Sequence, residues 1–139
     1  MNIKRYIGAT IAVFAFTFFY GWLVHGILLK GYYEATAKVW RELAEMNSMM
    51  PQHLAFGLAF SAWVTFIFSR FFGEEGGIKN GLLFGLYIGV LVGILAATWY
   101  VFVPIPKELA VNWFIANVVE GLGYGLILGL VYCNCAKKT

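Results

Sequence analysis

The chain is poor in charge. Only 12% of its 139 residues are Asp, Glu, Lys or Arg, and aspartate is absent altogether. A soluble domain carries about 25% charged and about 45–50% apolar residues. Here 61% are hydrophobic and the mean hydropathy is +0.76. A soluble fold of this length has too little interior to keep so much apolar area from water, so one membrane domain over residues 1–139 is expected. Reactive side chains are also scarce, with two histidines and two cysteines. No phosphate-binding loop, paired catalytic carboxylates or Ser/His/Asp set can be assembled, and no enzyme class is indicated. The net charge of +3 does not describe a nucleic-acid surface, because the basic residues sit in short clusters beside apolar runs.

Four long apolar runs dominate instead, at about residues 6–29, 51–72, 80–103 and 109–133. Each reaches the ~20 residues needed to cross a hydrocarbon core of about 30 Å. The first run follows Lys4 and Arg5 and exceeds the roughly 7–15 apolar residues of a secretory signal. It reads as an uncleaved span, although Ala35-Thr36-Ala37 offers a cleavage-like triplet. Asn47 or Ser48 is expected to cap the second span, with Pro51 in its first turn. Pro104-Ile105-Pro106 ends the third. Membrane β-strands alternate polar and apolar residues over about 10 positions, whereas these runs are continuously apolar. The fold expected is an all-α bundle of four transmembrane helices.

Between the first two spans, Val39, Leu43 and Met46 recur at helical spacing, as do Tyr33, Ala37, Trp40 and Ala44. Glu34–Lys38, and Glu42 and Glu45 around Arg41, are placed to pair. A short amphipathic helix over about residues 32–46 is predicted, lying in the outer interface or folded over the bundle mouth. Lys4, Arg5, Arg70, Lys79, Lys137 and Lys138 fall on one side, and Lys30, Lys38, Arg41 and Lys107 on the other. The excess beside the first span places both termini in the cytoplasm.

Glycine recurs every four residues at Gly81, Gly85, Gly89 and Gly93 in the third span, and at Gly121, Gly125 and Gly129 in the fourth. Lipid offers helices no hydrophobic reason to associate, so they gain where small residues let backbones approach. A tight hairpin with glycine-zipper packing follows, with Gly93 against Gly121, Gly89 against Gly125 and Gly85 against Gly129. Contact of one stripe with another subunit is the competing reading.

Glu120 lies eleven positions past Leu109, about 16 Å below the outer surface at ~1.5 Å per residue. A carboxylate at that depth must be neutralised, paired or wetted. Trp113, Asn117, Glu120 and Tyr124 share one helical face, and Thr17, Ser61 and Thr65 stand at similar depth on other spans. The set reads either as a proton- or cation-binding carboxylate or as a polar clasp fixing helix register. His25 and His53 fall at one level near the outer surface, where two imidazoles can hold a haem iron or contribute to a metal site. Hydrogen-bonded interfacial histidines within an aromatic belt explain them more simply, and no cofactor is required. Cys133 and Cys135 supply half of a tetrahedral soft-metal site, an acylation target, or thiols without a role.

The stretch Trp22-Leu23-Val24-His25-Gly26-Ile27-Leu28-Leu29-Lys30, continuing through Tyr33-Glu34-Ala35-Thr36-Ala37 to Trp40-Arg41 and Glu45-Met46, resembles a pattern in small bacterial four-helix integral membrane proteins of uncharacterised function. The resemblance covers about the first third of the chain. It implies a bacterial inner-membrane setting and draws attention to His25, Lys30, Glu34, Trp40 and Arg41 as an outer-face constellation. Three functions fit these features. One is a non-enzymatic accessory or structural subunit of a larger membrane complex, or a homo-oligomer, embedded in the bilayer. Another is a small transporter handling protons or cations at Glu120. The third is a haem- or metal-binding redox protein using His25 and His53.

Overall fold

The computed structural model describes residues 2–72 and 76–133; Cys135, Lys137 and Lys138 lie outside the described residues. Four helices are long and apolar enough to cross a membrane: Ile3–Leu28, Met50–Phe71, Ile78–Val101 and Lys107–Val131. Among the described residues there is no strand. The chain is an all-α, multi-pass helical bundle.

Local chemistry sets the helix ends. Helix α1 (Ile3–Leu23) begins inside its basic flank because the Asn2 side chain accepts the Arg5 amide at 3.2 Å. It continues into a π-helical turn at Val24–Leu28, closed by the Leu29 amide on the Val24 carbonyl at 2.8 Å. Helix α2 spans Lys30–Ala35, α3 Leu43–Ser48 and α4 Met50–Phe71. The cap anticipated from Asn47 or Ser48 is not made. Both residues belong to α3, the Ser48 hydroxyl donates to the Glu45 carbonyl at 2.7 Å, and α4 starts without a side-chain cap. Pro51 does occupy its first turn. Gly77, at φ 142°, takes a backbone shape closed to other residues and releases α5 (Ile78–Thr98). A 3₁₀ turn at Trp99–Val101 and the extended Pro106 then lead into α6 (Lys107–Val131).

The single amphipathic helix expected over residues 32–46 is broken. Between α2 and α3 lie a 3₁₀ turn at Ala37–Val39 and extended backbone at Trp40 and Glu42. At the break the Thr36 hydroxyl donates to the Tyr32 carbonyl at 2.7 Å and accepts the Trp40 indole N–H at 2.8 Å. Side-chain bonding of this kind competes with the helical ladder. The anticipated Glu34–Lys38 pair is replaced by Lys30–Glu34 at 3.5 Å.

Helices α5 and α6 form the most extensive contact in the bundle. A methyl group added at Gly85 would collide with the Gly121 carbonyl, and one at Gly81 with the Gly125 carbonyl. One at Gly89 would stand 2.7 Å from the Asn117 oxygen, and one at Gly129 2.7 Å from the Gly77 oxygen. The register differs from the expected pairing. Gly85 sits against Gly121 and Gly125 rather than Gly129, Gly89 against Asn117 to Gly121, and Gly93 against Phe114. The pairs Gly85–Gly121 and Gly81–Gly125 are both centred on position 103. The hairpin therefore turns around Val103-Pro104, before the Lys107 start of α6, and the stripes shift accordingly.

Helix α1 packs on α6 and α4. The Phe16 ring fills the space over Gly123, and Phe14 lies over Gly57. The Tyr20 hydroxyl donates to the Ala116 carbonyl at 2.9 Å and the Tyr6 hydroxyl to the Ala62 carbonyl at 3.0 Å. Near Arg5 the core joins Ala9, Val13, Val64, Phe68, Phe84, Tyr124, Leu128 and Tyr132. Near His25 a second core joins Val24, Leu29, Ile105, Leu109 and Ala110.

Replacing Gly85 with Leu is expected to destabilise the bundle by about 2 kcal/mol or more through overpacking. Gly8→Leu, where nothing lies within 4 Å, should change stability by less than about 0.5 kcal/mol. Unfolding by denaturing detergent from mixed micelles measures both.

Candidate functional sites at the His25 end and at Glu120

The π-helical turn carries His25 toward α2, where its Nδ1 lies 2.6 Å from the Tyr33 hydroxyl oxygen. That oxygen also accepts the Trp113 indole N–H at 2.7 Å. An indole only donates, so the Tyr33 proton is free for His25 whenever Nδ1 is unprotonated. Burial pushes the Tyr33 phenol above its ordinary range, with the Trp113 hydrogen bond acting the other way. The phenol is therefore neutral and available as a donor at neutral pH.

Trp40 completes the cluster. Its ring meets Tyr33 edge-on at 5.5 Å and Trp113 at 6.1 Å, while Tyr33 stacks on Trp113 at 6.5 Å. One hub thus ties the end of α1, the α2 segment and the start of α6. His53, at the start of α4, is close enough to His25 for their charges to interact. The outer constellation separates in three dimensions. His25 and Trp40 join this hub, whereas Lys30 and Glu34 pair with each other, and Arg41 with Glu45, on exposed surface. Exposed pairs of this kind contribute little stability.

A second polar region lies halfway along α6. Glu120 is half-buried, and among the described residues no side chain hydrogen-bonds to its carboxyl. The partners anticipated for it bond to their own helices instead. Asn117 donates to the Trp113 carbonyl at 2.8 Å, Thr17 to the Phe14 carbonyl at 3.1 Å and Ser61 to the Gly57 carbonyl at 2.8 Å. Tyr20 and Tyr124 are near enough to feel the Glu120 charge. Among the described residues the Tyr124 hydroxyl finds no hydrogen-bond partner although it is buried, and the same holds for Thr65 and Thr10.

Trp113 was placed by sequence reasoning on the Glu120 face, whereas Tyr33 and Thr36 at the His25 end, and Tyr20 near Glu120, were not selected as site residues. Tyr33, Thr36 and Trp40 show a local signal, because their spacing of three and four places them on one helical face. The Trp113 bond spans 80 positions and leaves no local trace. Among the described residues, no three His, Cys, Asp or Glu side chains gather into a metal-holding group. Cys133 is half-buried, and its sequence partner Cys135 lies outside the described residues. No family model, curated protein or solved structure matches the chain.

Tyr33→Phe removes the oxygen that both Trp113 and His25 use. A loss of about 1 kcal/mol is expected, in line with interhelical hydrogen bonds in membranes. Amide exchange should accelerate from Lys30 to Ser48 and stay unchanged in α5. Equal protection of the Lys30–Ser48 segment in both proteins would count against the hub.

Proposed function

We propose that this chain is a non-enzymatic accessory subunit of a larger membrane complex, set in a bacterial inner membrane with both termini in the cytoplasm. The orientation rests on Lys4 and Arg5 beside the first span. One observation carries the subunit reading: every residue from Arg41 to Phe60 except Gly57 is exposed. Apart from Gly57 under Phe14 and Phe60 against Tyr124, the first half of α4, together with α3, therefore makes little use of its own bundle.

Packing is what holds helices together in lipid, so an unpacked half-helix is a surface kept for a partner. Leu43, Met46, Met49 and Met50 extend that surface toward the membrane boundary, and Phe56 is its most exposed ring at 76%. Methionine suits such a role because its flexible, polarisable side chain adapts to a partner's contours. The glycine faces of α5 and α6 lie against each other, which supports a partner surface elsewhere.

Native mass spectrometry directly from membranes tests this reading. The expected result is an assembly heavier than the 15.6 kDa chain, reduced to the free chain by the pair Phe56→Ala and Leu58→Ala. Isolation of the unaltered protein only as a monomer in mild detergent would sink it.

A second reading is supported by Glu120, a half-buried carboxyl in mid-span to which, among the described residues, no side chain hydrogen-bonds. In this reading the carboxyl takes up and releases a proton. Infrared spectroscopy of the protein in lipid is expected to show a protonated-carboxyl stretch that disappears in Glu120→Gln. Absence of a band dependent on Glu120 counts against the reading.

A further inference from the structure

Two hollows in the surface of the bundle meet at Leu28 and Tyr32. The first, of about 340 Å³, runs down the seam between the first and last spans. Small-molecule sites occupy about 300–1,000 Å³. The second, of about 350 Å³, passes over Gly31 and Ala35 of α2.

Local structure opens the seam. Its walls are Tyr20, Val24 and Leu28 on one side and Ile115, Ala116 and Val119 on the other. Ala116 keeps the floor low, and the π-helical turn at Val24–Leu28 forms the upper part of the facing wall. Single π turns interrupt α-helices mostly at functional sites. Leu28, Ile115 and Val119 are 66%, 52% and 48% exposed, so the groove opens sideways toward lipid.

The groove is polar at one end only. At its deep end the Tyr20 hydroxyl already donates to the Ala116 carbonyl at 2.9 Å. Toward the His25 end stand the Tyr32 hydroxyl and the Asn112 carboxamide, both on half-buried residues. Among the described residues neither group hydrogen-bonds to the protein. Both carry donor hydrogens. The acceptors that a bilayer offers at the edge of its hydrocarbon are the ester carbonyls joining acyl chains to glycerol. From Asn112 the groove descends seven residues to Val119, about 10 Å along the axis. In the other direction Lys107 opens α6 five residues farther out, about 8 Å from Asn112.

We propose that the seam between α1 and α6 binds one glycerophospholipid, with an acyl chain in the groove down to Val119 and ester carbonyls accepting from Tyr32 and Asn112. The phosphate then reaches the level of the Lys107 ammonium. Site and ligand run in the same order: cation, donors and apolar trough against phosphate, esters and chain. A partner's transmembrane helix does not match this order, because its backbone carbonyls are already bonded within the helix and leave Tyr32 and Asn112 unmet. The site lies away from the exposed half of α4 and is independent of both functional readings above.

Native mass spectrometry of the intact protein released from membranes identifies the occupant by its mass. Titrating the delipidated protein with dioleoyl phosphatidylglycerol, or with its diether analogue, then measures affinity. One saturable phospholipid adduct is expected. The diether has no ester carbonyls and should bind about tenfold more weakly, the equivalent of lost hydrogen bonds. Tyr32→Phe/Asn112→Leu should weaken the ester lipid to the same extent and abolish the difference between the two lipids. Tyr32→Phe alone should narrow that difference, and serves if the double variant fails to fold. Ile94→Phe, at an exposed position on α5, should leave both affinities unchanged. Ester and diether lipids that bind the unaltered protein equally overturn the site. So does an occupant with the mass of a protein or of a phosphate-free lipid.

Discussion

Inside a bilayer the surroundings of a helix are as apolar as its side chains, so burial supplies no force for folding and close packing must supply it. The contact between α5 and α6 meets that condition. Gly81, Gly85, Gly121 and Gly125 lie backbone to backbone, and a single added methyl at any of them would overlap a carbonyl of the other helix. The rest of the bundle is assembled on this pair. Helix α1 docks by laying Phe16 over Gly123 and tying Tyr20 to the Ala116 carbonyl. Helix α4 then joins through Phe60, Phe68 and Phe72, whose rings meet Tyr124, Tyr132 and Phe84. Its remaining half has no comparable surface to meet.

The two ends of the bundle solve the problem of polarity in lipid differently. Near His25 the polar hydrogens are used up in a side-chain network centred on the Tyr33 hydroxyl, and three aromatic rings close around it. Near Arg5 the core keeps buried hydroxyls on three helices without partners. Glu120 sits between these regimes.

Much of this was legible in the residues themselves. Apolar runs of sufficient length mark the four helices, Pro104 and Pro106 mark the turn, and four-residue glycine spacing marks the faces of α5 and α6. These signals are local, because a helix repeats its faces every few residues whatever its surroundings. Local signals failed where a distant group intervened. The segment over 32–46 has a helical pattern, yet it breaks because the Trp40 ring packs against Trp113 and its N–H is held by Thr36. Thr17 and Ser61 have the depth to serve Glu120, but a hydroxyl in a helix has its own carbonyl within reach.

The sequence by itself determined that four helices are long and apolar enough to cross a membrane and which faces of the last two are bare, since each follows from side-chain identity along a helix of known rise. Only the tertiary structure decided the register of those bare faces, which depends on where the hairpin turns rather than on the spacing within either stripe. It also decided which polar groups have partners. Tyr20 meets Ala116 across 96 positions and Trp113 meets Tyr33 across 80. Hydrogen bonds act over about 3 Å, and no pattern along one helix specifies which atom of another will come that close.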